Sequence, residues 1–302
     1  MRSHISLNHA LLALIVVAIW GTNFVVIKEA LATLPPFLFA ALRFALVFLP
    51  AAFFLKRPNV PWQQLAAYGI LIGVGQFGFV YLSINGFIAA GLASLVVQTQ
   101  VFFTIGLAMF FSCERLKFFQ IVALLLAVSG IFVIMAHTDG DTTPLGLFMM
   151  LIAALSWAAG NIVNRHSAQT TQNLNMLAYV VWSAAYAVPP LVVLSLLFEG
   201  VPLISTAIAH MTLGTWGAVL WQSVANSLFG YAIWGWLLAR YPTATIAPLS
   251  LLVPVFGMGA AFVYLGELLP VWKLIAATLI MGGLALNLLW PKVVGMLRMQ
   301  RP

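Results

Sequence analysis

Polar and aromatic side chains recur inside long apolar stretches of this sequence, at spacings typical of one helix face. Trp20 and Asn23 lie three residues apart in one stretch, and Trp157 and Asn161 lie four apart in another. An amide in an apolar environment is costly unless it binds a ligand or cross-links helices. Two such stripes that face each other can hold a small zwitterion, with the indoles beside it and the amides bonding its charged groups. The alternative is helix cross-linking by the amides and packing by the indoles.

Further amides occur in three other apolar stretches, namely Gln76, Gln98, Gln100, Gln222 and Asn226. Residues two apart lie about 200° apart around an α-helix, so at most one of Gln98 and Gln100 is expected to face the cavity squarely, and the other to bond a neighbour. Gln222, Asn226 and Trp234 follow a four-residue repeat and predict one slanted stripe. We interpret all of these residues except Gln100 as candidate substrate-binding residues, with helix cross-linking as the alternative for each amide.

Charged residues are rare in the apolar stretches. Arg43 is the only base inside one, and a lone guanidinium there needs a counterion or a water-filled cavity. We expect Arg43, with Lys28 as a second candidate, to bind a substrate carboxylate, or else to reach carbonyl groups near a helix end. Glu114 and Glu267 flank helix ends. Their expected role is to cap the next helix, and the alternative is proton coupling, for which Glu267 is favoured.

Two prolines, Pro248 and Pro254, flank Ser250 within one apolar stretch. Each proline removes a backbone donor and loosens the preceding turn, which frees carbonyl groups. We predict a hinge or gate here, with Ser250 as a candidate binding residue, and a static kink is the alternative. The matching positions of the first half, Leu95 and Val101, have no proline, so any gating is expected to be asymmetric.

The composition excludes a soluble protein. Of the 302 residues, 63% are hydrophobic and 6% are charged, whereas soluble domains have about 45–50% apolar and about 25% charged residues. Soluble enzymes and nucleic-acid-binding proteins are therefore excluded, and membrane lipid is the expected surrounding. The net charge of +7 comes without any basic run. The single cysteine, Cys113, excludes an intramolecular disulfide and a cysteine metal cluster, and neither a metal nor a cofactor is expected.

Ten apolar runs are each long enough to cross a membrane as a helix, which takes about 20 residues. They span residues 11–27, 37–55, 65–86, 92–111, 118–136, 145–163, 177–198, 213–238, 244–264 and 271–290. The sequence thus predicts an all-α membrane protein with ten transmembrane helices. Ten of the 13 Lys and Arg residues fall on the side of both termini, and only Lys28 and Lys273 on the other, which predicts cytoplasmic termini.

The two halves of the chain are related by an internal repeat. Residues 114–130 align without a gap with residues 267–283, which pairs Glu114 with Glu267 and Gly130 with Gly283. Because each half has an odd number of spans, the second half enters the membrane from the opposite face, and the repeat is inverted. The predicted units are a first repeat over residues 1–136, a short loop over 137–144, a second repeat over 145–290 and a basic cytoplasmic tail over 291–302.

Five segments together resemble one known family. They are WGTNFVVIKEAL at residues 20–31, LPPFLFAALRF at 34–44, GLASLVVQTQVFFT at 91–104, SWAAGNIVNR at 156–165 and APLSLLVPV at 247–255. The chain resembles the EamA family of the drug/metabolite transporter superfamily, whose members consist of two five-helix EamA repeats. The resemblance covers nearly the whole chain.

The resemblance implies a secondary transporter of the bacterial inner membrane. It implies export, by alternating access, of small amino-acid-type metabolites such as O-acetylserine and cysteine. A broader exporter of aromatic amino acids, homoserine, threonine or drugs is the alternative. The sequence contains no HExxH motif and no GxxxxGK[ST] loop, so we expect neither an enzyme nor an ATP-driven pump. The oligomeric state is left open.

Overall fold

The computed structural model describes residues 5–112, 117–138 and 141–299. In this part of the chain the long helices are α1 (Leu7–Ala30), α2 (Pro36–Ala52), α3 (Trp62–Ile84), α4 (90–112), α5 (Phe118–Ala136), α6 (Pro144–Thr170), α7 (176–199), α8 (213–240), α9 (243–265) and α10 (Val271–Met299). A short helix, Gly200–Ala209, connects α7 to α8. Cys113 and Glu114 lie outside the described residues, so the predictions made for them cannot be placed.

The predicted all-α class and the ten helices are confirmed. Eight helical runs among the described residues are long and apolar enough to cross a membrane, and the 17-residue α2 is apolar as well. Large apolar side chains such as Phe53, Phe132 and Val263 are exposed on the outside of the bundle. An apolar outer surface of this kind suits contact with lipid tails, which offer neither hydrogen-bond partners nor charges.

Local sequence signals set several helix ends. Pro36 and Pro144 occupy the first turn of α2 and α6, where a missing backbone donor costs nothing. The Thr143 hydroxyl accepts a hydrogen bond from the Gly146 amide at 3.0 Å, and the Asn175 side chain accepts one from the Ala178 amide at 3.1 Å. These caps satisfy donors at the starts of α6 and α7.

Helices of the first half pack directly against helices of the second half. The closest associations pair α5 with α10, α2 with α7, and α1 with α9. Glycines allow the backbones to approach: a Cβ on Gly283 would lie 2.4 Å from the Ala123 carbonyl oxygen, and one on Gly69 would lie 2.1 Å from the Ser183 carbonyl oxygen. The two halves therefore interleave and share one core.

Four of the helices are irregular near the middle of the bundle. In α3 and α8 the backbone is π-helical over Leu71–Gly78 and Trp221–Phe229. In α4 and α9 it forms 3₁₀ turns over Val97–Thr99 and Ala247–Leu251. Irregular backbone thus occurs in both halves. The prolines indicated it only in the second half, because only the segment in α9 contains one.

Candidate substrate-binding site

A cavity of 470 Å³ lies between the two halves. Its lining comes from α1, α3, α4 and α6–α10, and none of it from α2 or α5. Nine of the twelve predicted binding residues line the cavity, namely Trp20, Asn23, Gln76, Gln98, Trp157, Asn161, Asn226, Trp234 and Ser250. The repeat-related stripes of α1 and α6 are thus brought to one place, as their spacing predicted.

Aromatic rings form one wall of the cavity. The Trp20 ring lies 5.1 Å from the Trp234 ring and 5.9 Å from the Tyr231 ring, measured between centroids. The Trp20 indole N–H donates to the Asn226 carbonyl oxygen at 3.1 Å. Gly230 makes room for this indole, because a Cβ there would lie 2.5 Å from the indole nitrogen. This wall offers apolar faces to a ligand and holds Trp20 in a defined orientation.

The amides divide into two groups by their hydrogen bonds. Asn161 donates to the Gln100 side-chain oxygen at 2.9 Å, so it cross-links α6 to α4 while it lines the cavity. In contrast, the side-chain oxygens of Asn23, Gln76 and Asn164 are buried without a hydrogen-bond partner. All three of these residues line the cavity. Their free acceptors suit a ligand that brings N–H donors, such as an ammonium group.

Gln98 and Gln100 both line the cavity, and Gln100 also accepts the hydrogen bond from Asn161, so one of the two amides bonds a neighbour as predicted. That both reach the same cavity was not expected. The reason is the 3₁₀ turn over Val97–Thr99. With three residues per turn, residues two apart are separated by about 120° on the near side, compared with about 160° in an α-helix. The tighter winding therefore rotates both amides toward the same space.

Each irregular segment supplies a polar side chain to the cavity. Gln76 lies in the π-helical segment of α3 and Asn226 in that of α8. Gln98 and Ser250 lie in the 3₁₀ turns of α4 and α9. Non-helical backbone at membrane depth is tolerated where it lines a cavity, and π and 3₁₀ segments within long helices are often found at functional sites.

Three predicted binding residues lie outside the cavity. Lys28 donates to the Ile84 carbonyl oxygen at 3.2 Å, near the ends of α1 and α3, which is the contact that the alternative expected of Arg43. Arg43 and Gln222 are buried, at 1% and 0% exposed, in a polar cluster behind the cavity wall. Helical spacing indicated which residues share a face, but it did not indicate which way the face of α2 turns.

The proline pair borders the cavity without lining it. Pro248 is in the first turn of the 3₁₀ segment of α9, and Pro254 is buried in the α-helix that follows. The Ser250 hydroxyl donates to the Ala247 carbonyl oxygen at 2.7 Å and lines the cavity. A role for Pro248 and Pro254 in gating stays a prediction.

Two carboxylates of the second half cap helices of the first half. Glu267 accepts from the Ala90 and Gly91 amides, at 2.7 and 3.1 Å, at the start of α4. Glu199 accepts from the Phe37 and Leu38 amides, at 2.6 and 3.1 Å, at the start of α2. The capping expected of Glu267 is present, but the helix it caps belongs to the other half and is not the next one. Its role in proton coupling stays a prediction.

The cavity is closed toward one face of the bundle. We call the face at which α1 begins the amino-terminal face, and consecutive spans run in alternate directions from it. At the opposite face, the Ser83 hydroxyl donates to the Gly146 carbonyl oxygen at 2.8 Å, and the Thr143 amide donates to the Phe87 carbonyl oxygen at 2.8 Å. The two carboxylate caps lie at the same face. The lining instead reaches the amino-terminal face, at Met176, the first residue of α7.

Sequence reasoning missed four aromatic residues of the lining, Phe24, Tyr68, Phe77 and Tyr231. Tyr231 lies three residues before Trp234, so the four-residue repeat through Asn226 and Trp234 left it out. A tyrosine hydroxyl at membrane depth needs a partner just as an amide does, and this signal would have singled out both tyrosines. No lining residue is charged, and the described residues contain no group of three His, Cys, Asp or Glu side chains that could hold a metal ion.

Comparison with known proteins agrees with this architecture. The model of the EamA-like transporter family matches twice, over residues 7–136 and 144–289. A "Probable amino-acid metabolite efflux pump" of Salmonella typhimurium is 45% identical over 91% of this chain and 93% of its own length. A protein of the same description from Escherichia coli K12 is 41% identical over 96% of this chain and 98% of its own. One solved crystal structure has the same fold, with a TM-score of 0.62 and 20% identity over 95% of this chain and 96% of that one.

The two family matches cover nearly the whole chain, and the relatives above 40% identity align over almost their full lengths. Together with the ten helices and the central cavity, they indicate a transporter and not an enzyme. The chain belongs to the EamA-like transporter family of the drug/metabolite transporter superfamily.

Proposed function

We propose that this protein exports small amino-acid-type metabolites across the bacterial inner membrane by alternating access, with both termini in the cytoplasm. The observation that carries the proposal is the uncharged cavity between the two halves, lined by amides and aromatic rings and closed toward one face. A zwitterion has no net charge, so a lining that offers hydrogen bonds without ionised groups matches it. The names of the two relatives above 40% identity support the same class of substrate.

In this proposal the free oxygens of Asn23, Gln76 and Asn164 accept hydrogen bonds from the substrate ammonium group. The rings of Trp20 and Trp157 pack against the rest of the molecule, and a cation over an indole face gains further attraction. Asn161, Gln98, Asn226, Trp234 and Ser250 complete the site as the other predicted residues that line it. The bond from Asn161 to Gln100 then orders the α4 side of the site before the substrate arrives.

The described conformation corresponds to the cytoplasm-facing state in this proposal, because the cavity reaches the amino-terminal face. Export then requires the contacts at the opposite face to separate, including the caps formed by Glu199 and Glu267. The irregular segment around Pro248 and Pro254 supplies the hinge, and proton coupling through Glu267 is the proposed energy source. A helix whose backbone hydrogen bonds are already interrupted bends at a lower cost than a regular one.

Within this class, O-acetylserine and cysteine are the proposed substrates. The second candidate is an exporter of larger aromatic amino acids. It is favoured by the rings of Trp20, Trp157, Tyr231 and Trp234 around the cavity, since offset aromatic pairs attract one another. The two candidates use the same site and differ in which substrate side chain packs against the aromatic rings.

The test is counterflow in proteoliposomes loaded with cysteine, with tryptophan as the external competitor. Labelled cysteine should accumulate in vesicles that contain the protein, and Asn23→Ala should reduce the rate at least tenfold while the protein remains folded. Gln172→Ala, at an exposed loop position, is the matched control and should leave the rate unchanged. Strong inhibition of cysteine uptake by external tryptophan would favour the second candidate, and normal uptake by Asn23→Ala would refute the proposed site.

The direction of transport is tested in cells. Overexpression in a bacterial host with low intrinsic export should raise extracellular O-acetylserine or cysteine, measured by mass spectrometry, and Asn161→Ala should not. Extracellular amino acids that stay at the level of the empty vector would contradict export.

A further inference from the structure

Arg43 lies in a polar cluster inside the bundle, separate from the cavity. Its guanidinium donates to the Tyr81 hydroxyl at 3.0 Å and to the Ser227 hydroxyl at 3.0 Å. The Tyr81 hydroxyl in turn donates to the Gln222 side-chain oxygen at 3.1 Å. The Phe77 ring lies against the guanidinium, with its centroid 3.6 Å from the central carbon. All of these partners are neutral.

The cluster has a positive charge that nothing on the described part of the chain neutralises. Arg43 is 1% exposed, and no carboxylate of the described residues lies within ion-pair distance of it. Removing a guanidinium from water without a counterion is among the most costly burials a protein makes. Neutral hydroxyls and an aromatic face reduce this cost, but they do not supply the missing negative charge.

The cluster also has more hydrogen-bond donors than acceptors. The Nε of Arg43 and the side-chain nitrogen of Gln222 are both buried without a partner. The Ser183 hydroxyl, on α7, is likewise buried without a partner. Spare donors around a single positive charge are the arrangement expected when an anion completes the site.

A small void is present at this place. It has a volume of about 10 Å³, and Arg43, Ser183 and Ser227 are among its lining residues. A space of this size is that of one water molecule, and a monatomic anion, which is somewhat larger, enters it with a small outward shift of the lining side chains. Four residues, Tyr68, Phe77, Val180 and Tyr231, line both the void and the large cavity, so their side chains lie between the two spaces. A carboxylate group from the cavity would have to pass these side chains to reach Arg43.

We propose that this void is a binding site for one monatomic anion, chloride under physiological conditions, held by Arg43 and Ser183. The anion neutralises the guanidinium and accepts hydrogen bonds from the Arg43 Nε and the Ser183 hydroxyl, the unpartnered donors of the residues that line the void. It lies behind the aromatic wall and is not transported. The site is independent of the proposed substrate, because it requires neither the cavity amides nor the direction of transport.

The first test is the thermal stability of the full-length protein in detergent. The Tm should rise by a few degrees when sodium gluconate is replaced by sodium chloride at equal ionic strength, because a ligand that binds only the folded state stabilises it. Arg43→Gln should abolish this chloride-dependent rise. Arg240→Gln, which removes a base at the end of α8, is the matched control and should retain it. A Tm that is the same in both salts would overturn the proposal and leave a water molecule as the occupant.

A second variant keeps the test valid if Arg43→Gln does not fold. Ser183→Ala removes one donor and leaves the charge, so half-maximal stabilisation should need about fivefold more chloride, which corresponds to the loss of one hydrogen bond. In crystals grown in bromide, anomalous scattering should give a peak beside Arg43. If chloride has no effect but cysteine stabilises the wild type and not Arg43→Gln, the anion is a substrate carboxylate and the chloride site is refuted.

Discussion

Helices α3 and α8 have the same backbone irregularity in different sequences. The π-helical segment of α3 contains Gly73, Gly75 and Gly78, whereas that of α8 contains no glycine. Helices α4 and α9 repeat the pattern, since both contain a 3₁₀ turn and only the one in α9 contains a proline, Pro248. The irregular backbone is therefore a property of the place in the bundle, and different residues satisfy it in the two halves.

The third related pair, α5 and α10, shows the opposite behaviour. Helix α5 is a continuous α-helix and does not line the cavity, and α10 contributes only Leu288 to it. The two helices pack closely through the repeat-related glycines Gly130 and Gly283. This regular pair thus holds the bundle together, and the two irregular pairs shape the cavity together with α1 and α6. The four predictions that follow test this division.

The largest expected effect is on the regular pair. Gly283→Leu should prevent α5 and α10 from packing, because a Cβ there would lie 2.4 Å from the Ala123 backbone oxygen. Overpacking against backbone should cost about 3 kcal/mol or more. The repeat-related Gly130→Leu should have a similar effect, since a Cβ there would lie 3.0 Å from the Ala276 carbonyl oxygen. The yield of folded protein in size-exclusion chromatography measures both.

Gly282→Leu is the matched control for the glycine variants, because a Cβ on this exposed neighbour would meet nothing within 4 Å. It should fold like the wild type. Equal losses in Gly282→Leu and Gly283→Leu would mean that the contact between α5 and α10 does not hold the bundle together.

The second effect concerns the carboxylate caps that join the halves. Glu267→Gln leaves one acceptor oxygen for the amides of Ala90 and Gly91, so one donor loses its partner, at a cost of about 1–3 kcal/mol. Glu199→Gln should cost a similar amount at the start of α2. The Tm should fall in both variants, and Glu29→Gln, at an exposed acid, should leave it unchanged. A Tm unaffected in both would show that the caps do not stabilise the closed face.

The third effect concerns the irregular pairs. Pro248→Ala restores a backbone donor in the 3₁₀ segment of α9 and should allow a regular helix there. A proline inside a helix costs about 3 kcal/mol, so we expect the variant to be more stable than the wild type. Counterflow should slow about tenfold, because the turn that presents Ser250 to the cavity is straightened. A rise of a few kcal/mol in the activation free energy is more than enough for a tenfold slower rate.

The control for this variant is Pro50→Ala in α2, a helix that does not line the cavity. It should raise the Tm and leave counterflow unchanged. Unchanged transport in Pro248→Ala would remove the link between irregular backbone and function.

The smallest effect is expected at the aromatic wall. Trp20→Phe keeps an aromatic face beside Trp234 but loses the indole donor to the Asn226 carbonyl oxygen. One hydrogen bond contributes about 1 kcal/mol, so the KM of counterflow should rise about fivefold. Trp216→Phe, at an exposed indole, is the control. An equal KM in the two variants would show that the Trp20 orientation is not needed for binding.

The sequence was sufficient to predict the ten helices, because apolar runs of this length have no other stable form in lipid. It was also sufficient to predict that Asn23 and Asn161 line a cavity, since amides inside apolar helices either bind a ligand or cross-link helices. It could not place Arg43, because periodicity shows which residues share a face and not how the helix is rotated against its neighbours.

The irregular segments were hidden for a different reason. Glycine and proline mark weak points in a helix, but the π-helical segment of α8 contains neither. Its winding depends on contacts with other helices, which a single sequence does not display. The smaller angle between Gln98 and Gln100 was hidden in the same way, since an α-helix would turn the two side chains further apart than the 3₁₀ turn does.

The uncharged lining of the cavity has an electrical consequence. The membrane potential does work of about 2.3 kcal/mol per elementary charge for every 100 mV. No lining residue is charged and a zwitterion has no net charge, so the net charge inside the cavity is zero with and without the substrate. The substrate itself therefore carries no net charge through the field. Any difference in cysteine efflux between polarised and depolarised vesicles should come from the coupled proton proposed for Glu267.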